Sequence, residues 1–446
     1  MNSLAKSTNI NMSYENNIIT EVLFMTVQQI ITLGIFLLVM AAIITEKINR
    51  TVASLGGALL MILFNILTFE KGLSHIDFNT IGVLVGMMLF VAVVKNSGLF
   101  EYIAIWTAKK TKGDPWKIMV YFIIITAVLS ALLDNVTTVL LIGPMTITIT
   151  QILGLNPVPF LLSQILASNI GGTATLIGDP PNIMIGSAAN LSFMDFVVNL
   201  SPVIIVILIA MIICCKFLYS KKLVVDDEAR QRIMNFDETK SIKDRTLMIK
   251  SIVVMFFILL GFAFHSTLKI ESCIVALTGA VVMLLIGKQD VDEILLDVEW
   301  STIFFFMGLF IVVGGLVEVG LINNLAEVII GATSGHMILT MLIILWLSAI
   351  VSSFLDNIPF VATIIPLILT MQAQGIDVAP LWWATSLGAC LGGNGTLIGA
   401  SANVVLAGVS QRHGYPITFK EFFKVGFPIM LMSVAISTVY LVIKFI

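Results

Sequence analysis

Long apolar runs set the rhythm of this chain. Runs of membrane-spanning length lie near 22–44, 52–69, 78–96, 198–219, 248–268, 272–287, 300–318 and 422–443. About 20 apolar residues carry a helix across the hydrocarbon core, so each run predicts a span, with 52–69 and 272–287 at the short end. Two further runs, near 160–190 and 380–409, are interrupted by glycine and proline. Two more, near 115–153 and 337–371, are longer and carry Asp-Asn at their midpoints, in LLDNVTT (132–138) and FLDNIPF (354–360). A polar turn at mid-depth is tolerated only inside protein or beside a cavity, so these two read as re-entrant hairpins. The one hydrophilic stretch, about 220–247, mixes both charge signs and reads as a linker.

The pattern occurs twice. A shift of 222 positions carries Asp134-Asn135 onto Asp356-Asn357, Pro144 onto Pro366, Gly86 onto Gly308, and Gly98-Leu99 onto Gly320-Leu321. After a one-residue slip, GGTATLIGDPPN (171–182) lies over GGNGTLIGASAN (392–403). Self-similarity at this scale marks a tandem duplication over nearly the whole chain. The predicted organisation is a polar N-terminal tail (1–21), a first repeat (22–219), a cytoplasmic linker (220–247) and a second repeat (248–446). The tail lacks a basic n-region and a small-residue cleavage site, so it does not read as a signal peptide. Each repeat holds five spans plus a hairpin. Five is odd, so the second repeat is inverted relative to the first. Inverted repeats with broken helices are a signature of secondary transporters. Before each hairpin, LFEYIAIWTAKK (99–110) and LINNLAEVII (321–330) read as helices along the membrane surface.

Composition agrees with an all-α polytopic membrane protein. Hydrophobic residues make up 58% of the 446, charged residues 11%, and mean hydropathy is +1.04; a soluble domain carries about 25% charged residues. Placing the N-terminus outside puts 20 of the 24 Lys and Arg on the cytoplasmic side, which favours that orientation in a cell membrane. Cys214, Cys215, Cys273 and Cys390 fall in apolar runs with no CxxC spacing, and read as buried structural thiols. The chain has no HExxH, no GxxxxGK[ST] and no nucleophile–base arrangement. Enzymatic hydrolysis and self-contained ATP drive are therefore not expected, nor is a cofactor or a nucleic-acid partner.

The candidate chemistry sits where the helices break. Proline removes backbone donors, so the breaks free carbonyls inside the protein. Around the first break stand Ser168, Asn169, Gly171, Gly172, Thr173, Thr175, Asp179 and Asn182. Around the second stand Gly392, Gly393, Asn394, Thr396, Ser401 and Asn403. Such neutral oxygens suit a hard cation, and Na⁺ is expected near Asn135, Gly172, Thr175 and Asn182. A structural kink satisfied by neighbouring helices is the alternative. The hairpin tips add Asp134, Asn135, Thr137, Thr138, Asp356 and Asn357. An Asp at mid-membrane costs about 3 kcal/mol on insertion scales, which points to function. Capping of the following helix by Asp134 and Asp356 is the bland reading, and both can hold. Asp179 faces Ala400 in the repeat, so one carboxylate breaks the symmetry.

These motifs resemble the ion transporter superfamily, with the closest likeness to the arsenite permease and pink-eyed dilution (P) protein branch. That branch is related to the divalent anion–sodium symporters and shares their citrate-transporter-like domain. The likeness rests on LLDNVTTVLLIGP, SNIGGTATLIGDPPN, FLDNIPFVATIIP and GACLGGNGTLIGASANVV, in order along the chain. The resemblance implies an elevator-type carrier with scaffold and transport domains, commonly dimeric. It places the substrate and ion sites at the tips and breaks named above. The dicarboxylate symporters carry Ser-Asn-Thr at both tips, whereas here each tip begins with Asp-Asn. The expected function is therefore secondary transport of an inorganic anion or metalloid, arsenite-like, coupled to H⁺ or Na⁺. Alternatives are a Na⁺/H⁺ antiporter, a Na⁺-coupled carboxylate transporter and, less favoured, an ion channel. An external ATPase subunit, as some arsenite permeases have, stays open.

Overall fold

The computed structural model describes residues 25–45, 47–333 and 336–445, so the expected 1–21 tail lies outside the described residues. Every regular element among them is a helix. The first half contains α1 (Val27–Thr45), α2 (Arg50–Leu63), α3 (Phe69–Ser74), α4 (Phe78–Lys95) and α5 (Leu99–Lys110). It continues with α6 (Pro115–Leu132), α7 (Asn135–Ile152), α8 (Val158–Gly172), α9 (Pro180–Ala189) and α10 (Phe193–Tyr219). A short helix, α11 (Asp227–Met234), follows in the linker. The second half begins with α12 (Arg245–Leu268), α13 (Ser272–Gly287), α14 (Val291–Leu296), α15 (Trp300–Glu318) and α16 (Leu321–Thr333). It ends with α17 (Met337–Phe354), α18 (Asn357–Ala373), α19 (Ala379–Gly392), α20 (Ser401–Arg412) and α21 (Phe419–Phe445).

The second ten helices follow the first ten in the same order. Eight of them, from α13 to α20, start 221 or 222 residues after their counterparts. Both Asp-Asn runs are helix–turn–helix hairpins, and both glycine-rich runs are helices broken in the middle. Nine described helices are long and apolar enough to cross a membrane. The run near 52–69 stops early, at Leu63, because Asn65 turns into the left-handed region (φ 54°) and Thr68 caps α3. Asn tolerates that conformation better than most residues.

The described residues fall into two compact units. One gathers the described parts of Met1–Ile76, Phe304–Thr340 and Ala362–Val378. In it, α15 lies so close to α2 that a Cβ on Gly308 would meet the Ser54 and Leu55 backbones at 2.6 and 2.7 Å. The other gathers Asp77–Ile303, Met341–Val361 and Ala379–Ile446, and holds every candidate site residue. Here α4 lies on α13 in the same manner. A Cβ on Gly86 would meet the Ala276 and Leu277 backbones at 2.6 and 2.7 Å. Each pair joins one helix from either half of the sequence, and a shift of 222 converts one pair into the other. A side chain at either glycine would push the helices apart.

The linker is laced to the first half. The backbone N–H groups of Lys243 and Asp244 donate to Ser97 O at 3.0 and 3.3 Å. Gly98 is left-handed (φ 80°), and a Cβ there would lie 2.0 Å from Ser241 O. Lys109 of α5 pairs with Glu238 and holds that carboxyl below its usual range.

Candidate functional site

The hairpin aspartates act first as helix caps. Asp134 precedes α7, and its side chain accepts from the Thr137 N–H at 2.7 Å. Asp356 precedes α18, where it accepts from the Ile358 N–H at 3.2 Å and from the Ser401 hydroxyl at 2.6 Å. A carboxylate in this position answers N–H groups that have no partner within the helix. Asp179 occupies the equivalent place before α9 yet makes no capping bond. It is fully buried, and its two oxygens accept from the Asn357 amide at 3.3 and 3.2 Å. Neither Asp134 nor Asp179 has an ion-pair partner among the described residues.

The two breaks share a hydrogen-bond frame. Asn182 Nδ2 donates to Thr173 O and Thr175 O at 3.1 and 2.9 Å. Its counterpart Asn403 Nδ2 donates to Gly393 O and Thr396 O at 2.7 and 2.9 Å. Freed carbonyls are thus met by an amide of the next helix, so the structural reading of the breaks holds for these groups. Thr175 and Thr396 donate to Ala131 O and Ser353 O of the adjoining hairpins. Ser130 and Ser352 donate to Ser168 O and Ala389 O at 2.7 and 2.6 Å. These pairs are related by the repeat, except that Gly393 O takes the place of the Thr173 O counterpart, one residue away at Asn394.

Gly171 and Gly172 play a different part from the one their sequence suggests. They do not loosen α8, which runs helical through both. A Cβ on Gly171 would lie 2.2 Å from Ala127 O, and one on Gly172 would lie 2.5 Å from Gly178 O. Both exist for close approach. Gly392 repeats this against Ala349 O at 2.6 Å, and Gly393 lies 3.2 Å from Gly399 O on the same construction. Pro180 and Pro181 open α9 rather than interrupt a helix, a position where the missing N–H is harmless.

The side chains gather in two buried clusters, each drawing on both halves. In the first, Asn135 Nδ2 donates to Asn169 Oδ1 at 3.3 Å. Asn169 Nδ2 then donates to Asn394 Oδ1 and Asn403 Oδ1, both at 2.9 Å. In the second, Asn357 holds Asp179, while Asn182 Oδ1 accepts from Ser386 at 2.6 Å and from the Cys390 thiol at 3.6 Å. The repeat maps Asn135 onto Asn357, Asn169 onto Cys390 and Asn403 onto Asn182. One cluster is all carboxamide, and the other holds a carboxylate and a thiol. Among the described residues no three His, Cys, Asp or Glu side chains gather as a metal-binding group, so the three aspartates do not form a cage.

Of the candidates, Asn135, Ser168, Asn169, Thr173, Thr175, Asp179, Asn182, Asn357, Asn394, Thr396 and Asn403 converge with buried side chains or backbone. Thr137 contributes its backbone N–H to the cap of Asp134. Thr138 is buried without a hydrogen bond. Ser130, Ser352, Ser386, Gln164 and Cys390 are additions. Cys390 is buried as expected, but it faces the site. Ser130 and Ser352 carried a usable signal, since both are serines in apolar runs at the repeat spacing.

Residues 40–388 match the citrate transporter (CitMHS) family. A 46 kDa membrane protein of Mycobacterium leprae is 40% identical over 423 residues, covering 93% of this chain and 99% of that protein. The human P protein is 32% identical over 490 residues, covering 91% of this chain and 58% of its own length. Among solved structures, the YdaH transporter of Alcanivorax borkumensis shares the fold with a TM-score of 0.58 at 14% identity, covering 94% and 98% of the two chains. MtrF of Neisseria gonorrhoeae gives 0.56 at 11% identity, covering 94% and 95%. Apolar helices, matched broken segments and the family match agree: the chain is a multi-pass membrane transporter of the citrate transporter (CitMHS) family, not an enzyme.

Proposed function

We propose that the chain is a secondary active transporter that couples a small polar solute to the movement of H⁺ or Na⁺, with Asp179 receiving the coupling cation. One observation carries this reading. Asp179 is the fully buried carboxylate that neither caps a helix nor meets a cationic side chain among the described residues. A bare charge there is costly, so the group is neutralised by a proton or by a bound cation. Asp134 and Asp356, by contrast, have backbone N–H partners as helix caps. Na⁺ beside Asn135, Gly172, Thr175 and Asn182 belongs to the same reading.

The substrate follows from the same charges. No Lys, Arg or His is among the buried polar residues described. A solute that enters neutral, such as a trihydroxy metalloid acid, or neutralised by a companion cation, fits this lining. A free multivalent carboxylate does not. In this reading the halves 22–219 and 248–446 are inverted repeats, the tips and breaks travel as a transport domain against a scaffold, and two copies pair in the cell membrane. The bias of 20 in 24 basic residues supports an external N-terminus.

Proteoliposomes loaded with arsenite, phosphate, sulfate or dicarboxylates, each under an imposed H⁺ or Na⁺ gradient, test the proposal. One solute should accumulate under one gradient and show counter-flow. Asp179→Asn should abolish gradient-driven accumulation while leaving solute exchange. Flux without counter-flow would indicate a channel. Full coupling in Asp179→Asn would remove the cation from this residue, and Na⁺-driven proton movement with no solute would make the chain a Na⁺/H⁺ antiporter.

A further inference from the structure

Three polar side chains on α6, α7 and α8 have no hydrogen-bond partner. The hydroxyls of Thr126 on α6 and Thr138 on α7 are buried and unbonded. Gln164 on α8 is 1% exposed, and neither its amide nitrogen nor its amide oxygen is bonded. Unanswered buried polar atoms are rare in folded proteins, and three side chains together call for an occupant.

All three sit on helices that pack against one another. Ser130, Ser168 and Asn135 tie the same three helices together. Ser130 Oγ donates to Ser168 O at 2.7 Å, and Ser168 Oγ donates to Asn135 O at 3.1 Å. Thr126 lies four residues before Ser130, Gln164 four before Ser168, and Thr138 three after Asn135. Residues three or four apart share a helix face, one turn along. α6 and α8 run in parallel, because Ala127 faces Gly171 and Ala131 faces Thr175. α7 returns from the tip in the opposite sense. Thr138 thus lies one turn and Thr126 two turns from the tip, and with Gln164 they sit on three helices that pack against one another.

The donor set defines the occupant. Each hydroxyl both donates and accepts, and Gln164 brings two N–H donors and a carbonyl acceptor. A bare cation would answer the oxygens and leave Gln164 Nε2 empty. An anion would answer Nε2 and repel Oε1. A neutral O–H molecule answers every atom, and buried water characteristically takes about three such partners. The second half is built differently. Thr138 maps onto Phe360, and Gln164 maps onto Thr385, whose hydroxyl bonds Leu381 O at 2.8 Å. Of the three, only the Thr126 counterpart, Ser348, is also unbonded.

We propose that the first hairpin binds water between Thr126, Thr138 and Gln164, an internal hydration site that the second hairpin replaces with the Phe360 ring. The site is independent of which ion is coupled. X-ray hydroxyl-radical footprinting of the purified transporter in nanodiscs tests it, because bound water labels the buried side chains around it. In wild type, the segment 118–142 should label faster than its counterpart 340–364. Thr138→Phe with Gln164→Thr, which copies the second half, should lose that difference. Equal labelling of the two wild-type segments would overturn the proposal. So would suppression of the label by added Na⁺, which would put a cation there. Should the double variant misfold, Gln164→Leu alone and a high-resolution map decide. Density within about 3.2 Å of the Gln164 amide is expected, and a clear map without it would overturn the site.

Discussion

The two breaks are the same device holding different chemistry. In each, an Asn of the second short helix bonds two carbonyls of the break, a Thr reaches back to the hairpin, and a hairpin Ser seals the preceding helix. Side chains that hold the backbone have been kept in both copies. Other side chains at the breaks have diverged: Asp179 against Ala400, Cys390 against Asn169, Thr173 against Asn394. The comparison separates roles that a list of polar residues cannot. What repeats is frame, and under the proposed function what differs sets specificity and coupling.

The largest effect should come from the frame. Gly171→Ala places a methyl 2.2 Å from Ala127 O, and Gly392→Ala places one 2.6 Å from Ala349 O. Backbone must yield in both, at about 1–3 kcal/mol of overpacking. Both variants should melt earlier and lose most transport. Gly34→Ala and Gly408→Ala, which meet nothing within 4 Å, should do neither. A tolerated Gly171→Ala beside a crippling Gly392→Ala would show that the frames are not equivalent.

An intermediate effect is expected from moving the carboxylate. Asn135 stands to Ala400 as Asn357 stands to Asp179. Adding Ala400→Asp to Asp179→Asn should restore part of the gradient-driven uptake lost in the single variant. If the double variant stays as uncoupled as Asp179→Asn, the charge works only in its native cluster, beside Cys390 and Asn357.

The smallest effect belongs to the tip. Asn caps a helix about as well as Asp, to within a few tenths of a kcal/mol. Asp134→Asn should therefore change melting temperature and coupled uptake little. Uncoupling as deep as that of Asp179→Asn would relocate the cation to the first tip.

Much of this was legible in the sequence, for identifiable reasons. Hairpins and breaks announce themselves because Asp-Asn, Gly-Gly and Pro-Pro are expensive in an apolar run, and the repeat shows Asp-Asn and Gly-Gly twice. The capping role of Asp134 follows from its place before α7. The pairing of Asn357 with Asp179 does not, because it joins residues 178 apart and depends on how two broken helices cross. Gly171 misled for a related reason. Its meaning lies in the Ala127 carbonyl of another helix, and helix propensity alone cannot see that. The end of α2 at Leu63 was hidden because the apolar run continues past the turn at Asn65. Gln164 left a faint trace, a polar residue one turn before Ser168.

The linker has a consequence for biosynthesis. Residues 241–244 settle on Ser97 and Gly98, and Glu238 on Lys109, all of which leave the ribosome before α12. The nascent first half can thus close its own rim while the second half is still being translated, and α12 starts from an anchored point. Such an anchor would bias the orientation of the later spans alongside their own flanking charges. Gly98→Ala, which sets a methyl 2.0 Å from Ser241 O, should disturb this handover. Its signature would be misoriented second halves in a translation–insertion assay, with the first half inserted as in wild type.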